Sequence, residues 1–174
     1  LGSTGRKTGY FLSELTHPYK VFKDAGLRIT IASPRGGKAP CDERSLDMSD
    51  SVNSWFMDSE EERARLEQTV PLSEVLAQDV DAIYFAGGHG TMWDFPEHRD
   101  VLRLTQRVWE NGGIVSAVCH GPAALVNVKD ESGNYIVQDR AVTSFTNAEE
   151  TSVELDSVVP FMLQSKLEER GAKF

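Results

Sequence analysis

Apolar positions along the chain switch repeatedly between helical and strand spacing. From Glu14 to Ala25, Leu15, Tyr19 and Phe22 recur on one face of a predicted helix that Gly26 closes. Leu27-Arg28-Ile29-Thr30-Ile31-Ala32 then alternates residue by residue, the pattern of a strand. Pro34 to Asp58 is polar and rich in Gly, Asp and Ser, and reads as an irregular surface excursion. Ser59-Glu60-Glu61-Glu62 has capping-box spacing and opens a short helix to about Glu67. Leu72 to Ala77, entered through Pro71, reads as another.

Ala82-Ile83-Tyr84-Phe85-Ala86 is a continuous apolar strand that breaks on Gly87-Gly88-His89-Gly90. His98 to Asn111 is amphipathic, with Val101, Leu104, Val108 and Trp109 expected inside and Gly112-Gly113 as its stop. Ile114 to Val118 reads as a buried strand, followed by a helix start at Pro122 to Val126. A hairpin is expected around Glu131-Ser132-Gly133-Asn134, a strand at Ala141-Val142-Thr143 and a last helix from Pro160 to Arg170, ended by Gly171. Strands alternating with helices, with runs buried on both faces, imply an α/β fold: a parallel sheet covered by helices on both sides. Ligands of such sheets bind beyond the carboxyl ends of the strands, where Cys119 and Gly87-Gly88 both fall.

One domain is expected over residues 1–174. Its pattern starts on a helix where a strand is normal, and stops at Gly171-Ala172-Lys173-Phe174, a helix-Gly-strand rhythm left unfinished. The expectation is that a first strand and C-terminal elements lie outside the pattern. A sheet short of a strand exposes unpaired backbone, so a homodimer is expected to cover it.

A net charge of −9, spread out and densest at Glu60-Glu61-Glu62 and Glu149-Glu150, argues against nucleic acid and anionic membrane surfaces. No apolar run approaches the ~20 residues of a spanning helix. Two cysteines, Cys41 and Cys119, make no disulfide framework, which fits a reducing cytoplasm. There is no phosphate loop or Gly-x-Gly-x-x-Gly, and the histidines match no zinc spacing, so neither a cofactor nor a metal is expected.

The chemistry concentrates at Ala117-Val118-Cys119-His120-Gly121-Pro122-Ala123. A cysteine between a buried strand and a helix start occupies a nucleophile elbow, at the positive end of the helix dipole. Its thiol is therefore expected to ionise below the ordinary ~8.5. His120, next in the chain, is a candidate base that needs an orienting acceptor. Amides of Gly88 and His120 are candidates for an oxyanion hole, because glycine lets the backbone approach a ligand closely. Read alone, Glu14 is a first-turn helix carboxylate and Glu150 a solvated acid beside Glu149. Cys41 is given no role.

Three segments in order, the elbow, Ala86-Gly87-Gly88-His89-Gly90-Thr91-Met92-Trp93-Asp94-Phe95-Pro96, and Lys7-Thr8-Gly9-Tyr10-Phe11-Leu12-Ser13-Glu14-Leu15-Thr16-His17-Pro18, resemble the ThiJ/PfpI superfamily. They are most similar to its glutathione-independent glyoxalases (glyoxalase III), also described as heat-shock chaperones. The resemblance implies a flavodoxin-like fold with Cys119 as nucleophile, Glu14 facing its sulfur, and His120 and Glu150 completing the site. Glu150 is preferred to Glu149 on the resemblance alone. Gly87, Gly88, His89 and His17 are then expected around the oxyanion or the substrate, with a place behind the site, or plain capping and packing, open for the two histidines. The implied reaction is a lyase conversion of methylglyoxal or a similar 2-oxoaldehyde to a 2-hydroxy acid, D-lactate, of the D-lactate dehydratase type. Acid and base roles stay open between Glu14 and His120. A stress-induced holdase with a redox-sensing Cys119, and a Cys-dependent amidohydrolase or deglycase, are the alternatives. A glutamine amidotransferase shares the elbow, but its later His-x-Glu pair has no match here.

Overall fold

The computed structural model describes residues 1–174. Helix α1, Leu12–Asp24, begins two residues ahead of its expected start and buries Leu12, Thr16 and Tyr19. That stripe lies beside the expected Leu15, Tyr19 and Phe22, of which Leu15 and Phe22 are only half-buried. Thr16 is admitted to the interior because its hydroxyl finds an acceptor, donating to Asn53 Oδ1 at 2.6 Å. Gly26, at φ +74°, closes the helix while the N–H groups of Gly26 and Leu27 return to the carbonyls of Lys23 and Phe22.

The strands form two parallel pairs. Ala32–Ser33 (β1) pairs with Val70–Pro71 (β2), and Ala82–Phe85 (β3) pairs with Ile114–Ala117 (β4). The strand expected over 27–32 is corrected to its last residue plus Ser33. Alternation provides a face, but a ladder needs a neighbour, and within this chain only that end finds one.

In the second pair Ile83 stands opposite Val115 and Phe85 opposite Ala117. These side chains face helix α5, Arg99–Glu110, whose Val101, Leu104 and Val108 are buried with Phe85 as expected, while Trp109 is only half-buried. Tyr84 points the other way, its ring 6.1 Å from that of Phe22 on α1. The sheet therefore carries helices on both faces, the α/β arrangement expected. Burial of β4 is less than expected: Ile114 is 66% exposed, because the strand has β3 on one side and no ladder on the other.

Other elements depart from expectation where the pattern was short. The supposed surface excursion contains a 3-10 turn, Glu43–Ser45, and helix α2, Ser51–Asp58, capped by Asp50 through the N–H groups of Val52 and Asn53. It buries Asn53 and Phe56 against α1. Helix α3, Glu60–Glu67, keeps the Ser59 half of its capping box. Glu62 turns inward instead of closing it, to Tyr19, Lys23 and Arg65. Leu72 to Ala77 is a 3-10 turn at Leu72–Glu74 with another at Ala77–Asp79, not a helix. The predicted hairpin is one antiparallel bridge, Lys129 to Tyr135, and the predicted strand at 141–143 is a single parallel bridge from Ala141 to Lys173. Helix α4, Thr91–Asp94, and helix α6, Asn147–Ser152, were not anticipated. The final helix α7, Leu163–Glu169, is shorter than the apolar spacing suggests.

Candidate active site

Four segments meet at the carboxyl ends of β3 and β4. Cys119 follows β4 with φ +56°, a left-handed conformation that a cysteine adopts only when the surroundings impose it. The imposition is visible: the Val118 N–H and a β-carbon-free Gly121 both fit against the Phe85 carbonyl, and the Cys119 carbonyl accepts from the Phe145 N–H at 2.8 Å. A β-carbon on Gly121 would stand 2.3 Å from that Phe85 oxygen. The nucleophile-elbow geometry is thus fixed from both sides.

Glu14 enters from α1. Pro18, one turn later, has no N–H for the Glu14 carbonyl, and the Tyr84 hydroxyl on β3 donates to it instead at 3.0 Å. The proline in mid-helix therefore frees the bond that ties Glu14 to the sheet. Its side chain reaches over the loop, where Oε2 accepts the Gly87 N–H at 2.7 Å. A β-carbon on Gly87 would lie 2.5 Å from that oxygen, so glycine is required for this approach. Gly88 is at φ +102°, and a β-carbon on it would stand 2.3 Å from the Gly9 carbonyl oxygen. Thr91 Oγ1 sits between the carbonyls of Gly88 and His120, at 2.9 and 3.0 Å, and locks the two loops together.

Cys119 is half-buried. Its Sγ lies 3.3 Å from His120 Nδ1 and faces the Glu14 carboxyl and the N–H groups of Gly88 and His120. Burial, then the charge and hydrogen bond of Glu14, push the thiol up to about 12 against the weaker pull of those two amides. This corrects the expected lowering. The element after the elbow is a four-residue 3-10 turn, Gly121–Ala124, not an α-helix, so little macrodipole acts on the sulfur. Burial also raises Glu14, opposed by Cys119 and the Gly87 amide. The two groups share a hydrogen bond and therefore titrate as a coupled pair.

Behind His120 lies a buried relay. His120 Nε2 is 2.7 Å from Glu150 Oε2, and His89 Nε2 is 2.7 Å from Glu150 Oε1. Burial alone would raise Glu150, but hydrogen bonds from His120 and His89 outweigh it and hold the carboxyl at about 2. Burial keeps His120 below its usual range despite Glu150, hence neutral near pH 7. Glu150 is delivered by α6, whose capping box joins Thr146 and Glu149. The signal Thr146-x-x-Glu149 stands in the sequence and would have found this helix. Glu149 is exposed and turned to its cap; Glu150 is inside. The Phe145 ring, unforeseen, packs 4.3 Å from that of His120.

A cleft of about 320 Å³ opens beside Cys119, lined by Ala117, Val118, Thr143, Ser144, Phe145 and Glu149. Of the expected residues, Cys119, His120, Glu14, Glu150, Gly87, Gly88 and His89 converge. His17 does not join them: it lies half-exposed with Nε2 2.9 Å from Asp50 Oδ2 at the start of α2. Cys41 is half-buried beside Ser45 Oγ at 3.4 Å. His89, His120 and Glu150 have the composition of a metal site, their ligand atoms within 4.8 Å of one another. In this structure those atoms satisfy each other by hydrogen bonds.

The model of the DJ-1/PfpI family matches residues 7–158. The chain belongs to the DJ-1/PfpI family. It is 32% identical over 178 residues to the glutathione-independent glyoxalase HSP31 of Saccharomyces cerevisiae, spanning 99% of this chain and 74% of that protein. Glyoxalase 3 of Candida albicans is 33% identical over 156 residues, 83% of this chain and 63% of the relative. Among solved structures, Rapid Encystment Protein 24 of Francisella tularensis superposes with a TM-score of 0.95 at 43% identity, covering 99% of this chain and 76% of that one. Glyoxalase III of Candida albicans superposes at 0.89 and 30% identity, with the same coverage. The family's flavodoxin-like α/β fold is the one described above.

Proposed function

We propose that this protein is a glutathione-independent glyoxalase that converts methylglyoxal or a similar 2-oxoaldehyde to a 2-hydroxy acid, D-lactate in the case of methylglyoxal. The observation that carries the reading is a thiol flanked by two proton acceptors, Glu14 on one side and neutral His120 Nδ1 on the other, beneath two backbone N–H groups. The names of the relatives above support it.

The carboxylate of Glu150 only accepts hydrogen bonds, so His120 carries its hydrogen on Nε2 and turns the Nδ1 lone pair to Sγ. The resting thiol is protonated. As sulfur attacks the aldehyde carbon, an S–C bond forms and the thiol proton passes to His120. The carbonyl oxygen becomes an oxyanion held by the Gly88 and His120 amides and then takes that proton, giving a hemithioacetal. Glu14, which burial makes more basic, removes the C1 hydrogen and returns a proton to C2 through an enediol, while the hydroxyl proton passes from the C1 oxygen to the C2 oxygen. The product is a thioester of the 2-hydroxy acid. Water cleaves it, restoring the thiol and releasing the acid.

The test is lactate formation from methylglyoxal by the purified protein in glutathione-free buffer. Lactate from the wild type and none from Cys119→Ala supports the reading; no lactate from the folded wild type overturns it. We also propose a two-fold homodimer acting in the cytoplasm. Light scattering giving twice the chain mass supports the dimer, and the mass of one chain contradicts it.

A further inference from the structure

Glu150 has two imidazole partners, and the scheme above uses one. His89 stands in the Gly87–Gly90 loop, on a different segment from the elbow, with its Nε2 on the carboxylate oxygen that His120 leaves free. The two rings pack 4.0 Å apart between centroids, tilted by 42°, and Phe145 lies edge-on to His89 at 5.8 Å while packing against His120. His89, His120 and Glu150 are 8%, 1% and 3% exposed, so water is a poor substitute for any of these bonds. An ionised carboxylate donates nothing, and both Nε2 atoms must therefore carry hydrogen.

We infer that His89 is a positioning residue. By occupying Oε1 it fixes the plane of the Glu150 carboxylate, and through Oε2 it fixes the tautomer and ring orientation of His120, keeping the Nδ1 lone pair on Cys119. The inference rests on the thiol chemistry proposed for the same site, and it assigns His89 a place behind the site where the sequence left substrate contact equally open. Without the His89 donor, Oε1 is a buried anionic oxygen with no partner. Burial then favours a proton on that carboxylate, and the resulting carboxylic acid donates to His120 Nε2 and releases His120 to the opposite tautomer. That tautomer presents N–H to the sulfur and can no longer take its proton.

Two variants separate the donor from the ring. His89→Gln keeps an N–H close to the position of imidazole Nε2. His89→Phe keeps an aromatic ring on His120 and removes the donor. The chain has four histidines, so ring-nitrogen NMR on 15N-histidine protein resolves each tautomer. His120 is expected as the Nε2–H form in the wild type and in His89→Gln, and as a mixture or the Nδ1–H form in His89→Phe. Turnover should follow: kcat at least about tenfold lower in His89→Phe, within about threefold of wild type in His89→Gln, and KM unmoved in both.

A His89→Phe protein that keeps the Nε2–H form and full kcat overturns the inference. So does a rise in KM with kcat intact, which would make His89 a substrate contact. If the wild type produces no 2-hydroxy acid, the glyoxalase reading fails on its own, and the tautomer comparison still decides the role of His89: a His120 tautomer changed in His89→Phe sustains it, and an unchanged one rejects it.

Discussion

Glu62 and Glu150 are buried to almost the same degree, at 1% and 3% exposure, and each is ringed by hydrogen-bond donors. Around Glu62 the donors are the Tyr19 hydroxyl, Lys23 and Arg65, and both cations run out to solvent, 44% and 42% exposed. Nothing reactive lies beyond them. Around Glu150 the donors are two imidazoles, themselves buried, and one of them touches a thiol. A carboxylate among lysine and arginine clamps α1 to α3; a carboxylate among histidines can orient a base. The difference lies in whether a partner can exchange a proton and in what stands behind it.

The largest expected break in this contrast is Glu150→Gln. It removes the acceptor that sets the His120 tautomer, and turnover should fall by at least about a hundredfold. Melting should drop far less than turnover does, because the side chain keeps its volume. Steady-state kinetics beside a melting curve checks this, and near-normal kcat would make Glu150 a structural carboxylate like Glu62.

Next comes Glu62→Ala. Tyr19 loses its buried partner, and Lys23 and Arg65 lose their shared anion, so stability should fall by about 3 kcal/mol. At roughly 2–4 °C per kcal/mol for a chain of this size, that is a shift of ~6–12 °C. The kcat of the protein that remains folded should be unchanged. A large loss of kcat without a melting shift would contradict the division drawn here.

Acid titration sharpens the comparison. Glu150 and Asp42 are both held at about 2 in the folded chain. Burial is outweighed by two histidines at Glu150; at Asp42 the hydrogen bond from Arg44 leads. Folded values below the unfolded ~4 mean that both contribute stability above that pH and lose it as pH falls towards 2. The melting temperature of the wild type should therefore decline between about pH 4 and 2, and less steeply in Glu150→Gln. Parallel profiles would show that Glu150 carries no such linkage.

The smallest effect is at the thiol. Burial and Glu14 raise Cys119, so alkylation of the free protein should be slow at neutral pH and climb through the alkaline range. Glu14→Gln removes the opposing charge and should lower the pH at which Cys119 alkylates, by about one unit. Peptide-level mass spectrometry separates it from Cys41. An unchanged profile in Glu14→Gln would uncouple the two groups.

Much of this was legible before the structure. The elbow, the glycine loop and α5 rest on long or strongly marked patterns, and each occurs where expected. Glu14 and Glu150 owed their selection to resemblance, since a first-turn acid and one member of a Glu-Glu pair look solvated in isolation. Helix α2 escaped notice because its eight residues are too few to establish a period, and its Asp50 cap lay in a polar run. The thiol's direction is not legible locally, because the burial of Cys119 and the approach of Glu14 from α1, which raise it, are set by contacts far apart in the chain. His89 lies in the expected neighbourhood, but its bond to Glu150 is not legible in the sequence, because a hydrogen bond across 61 residues leaves no trace in local spacing.

The most direct test of the central claim follows methylglyoxal with the purified chain in glutathione-free buffer and measures lactate for the wild type, Cys119→Ala, Glu150→Gln and Glu62→Gln side by side. Lactate is expected from the wild type and from whatever fraction of Glu62→Gln is folded, and its loss in the other two. Lactate formed equally well by Cys119→Ala, or by none of the four, would contradict that claim.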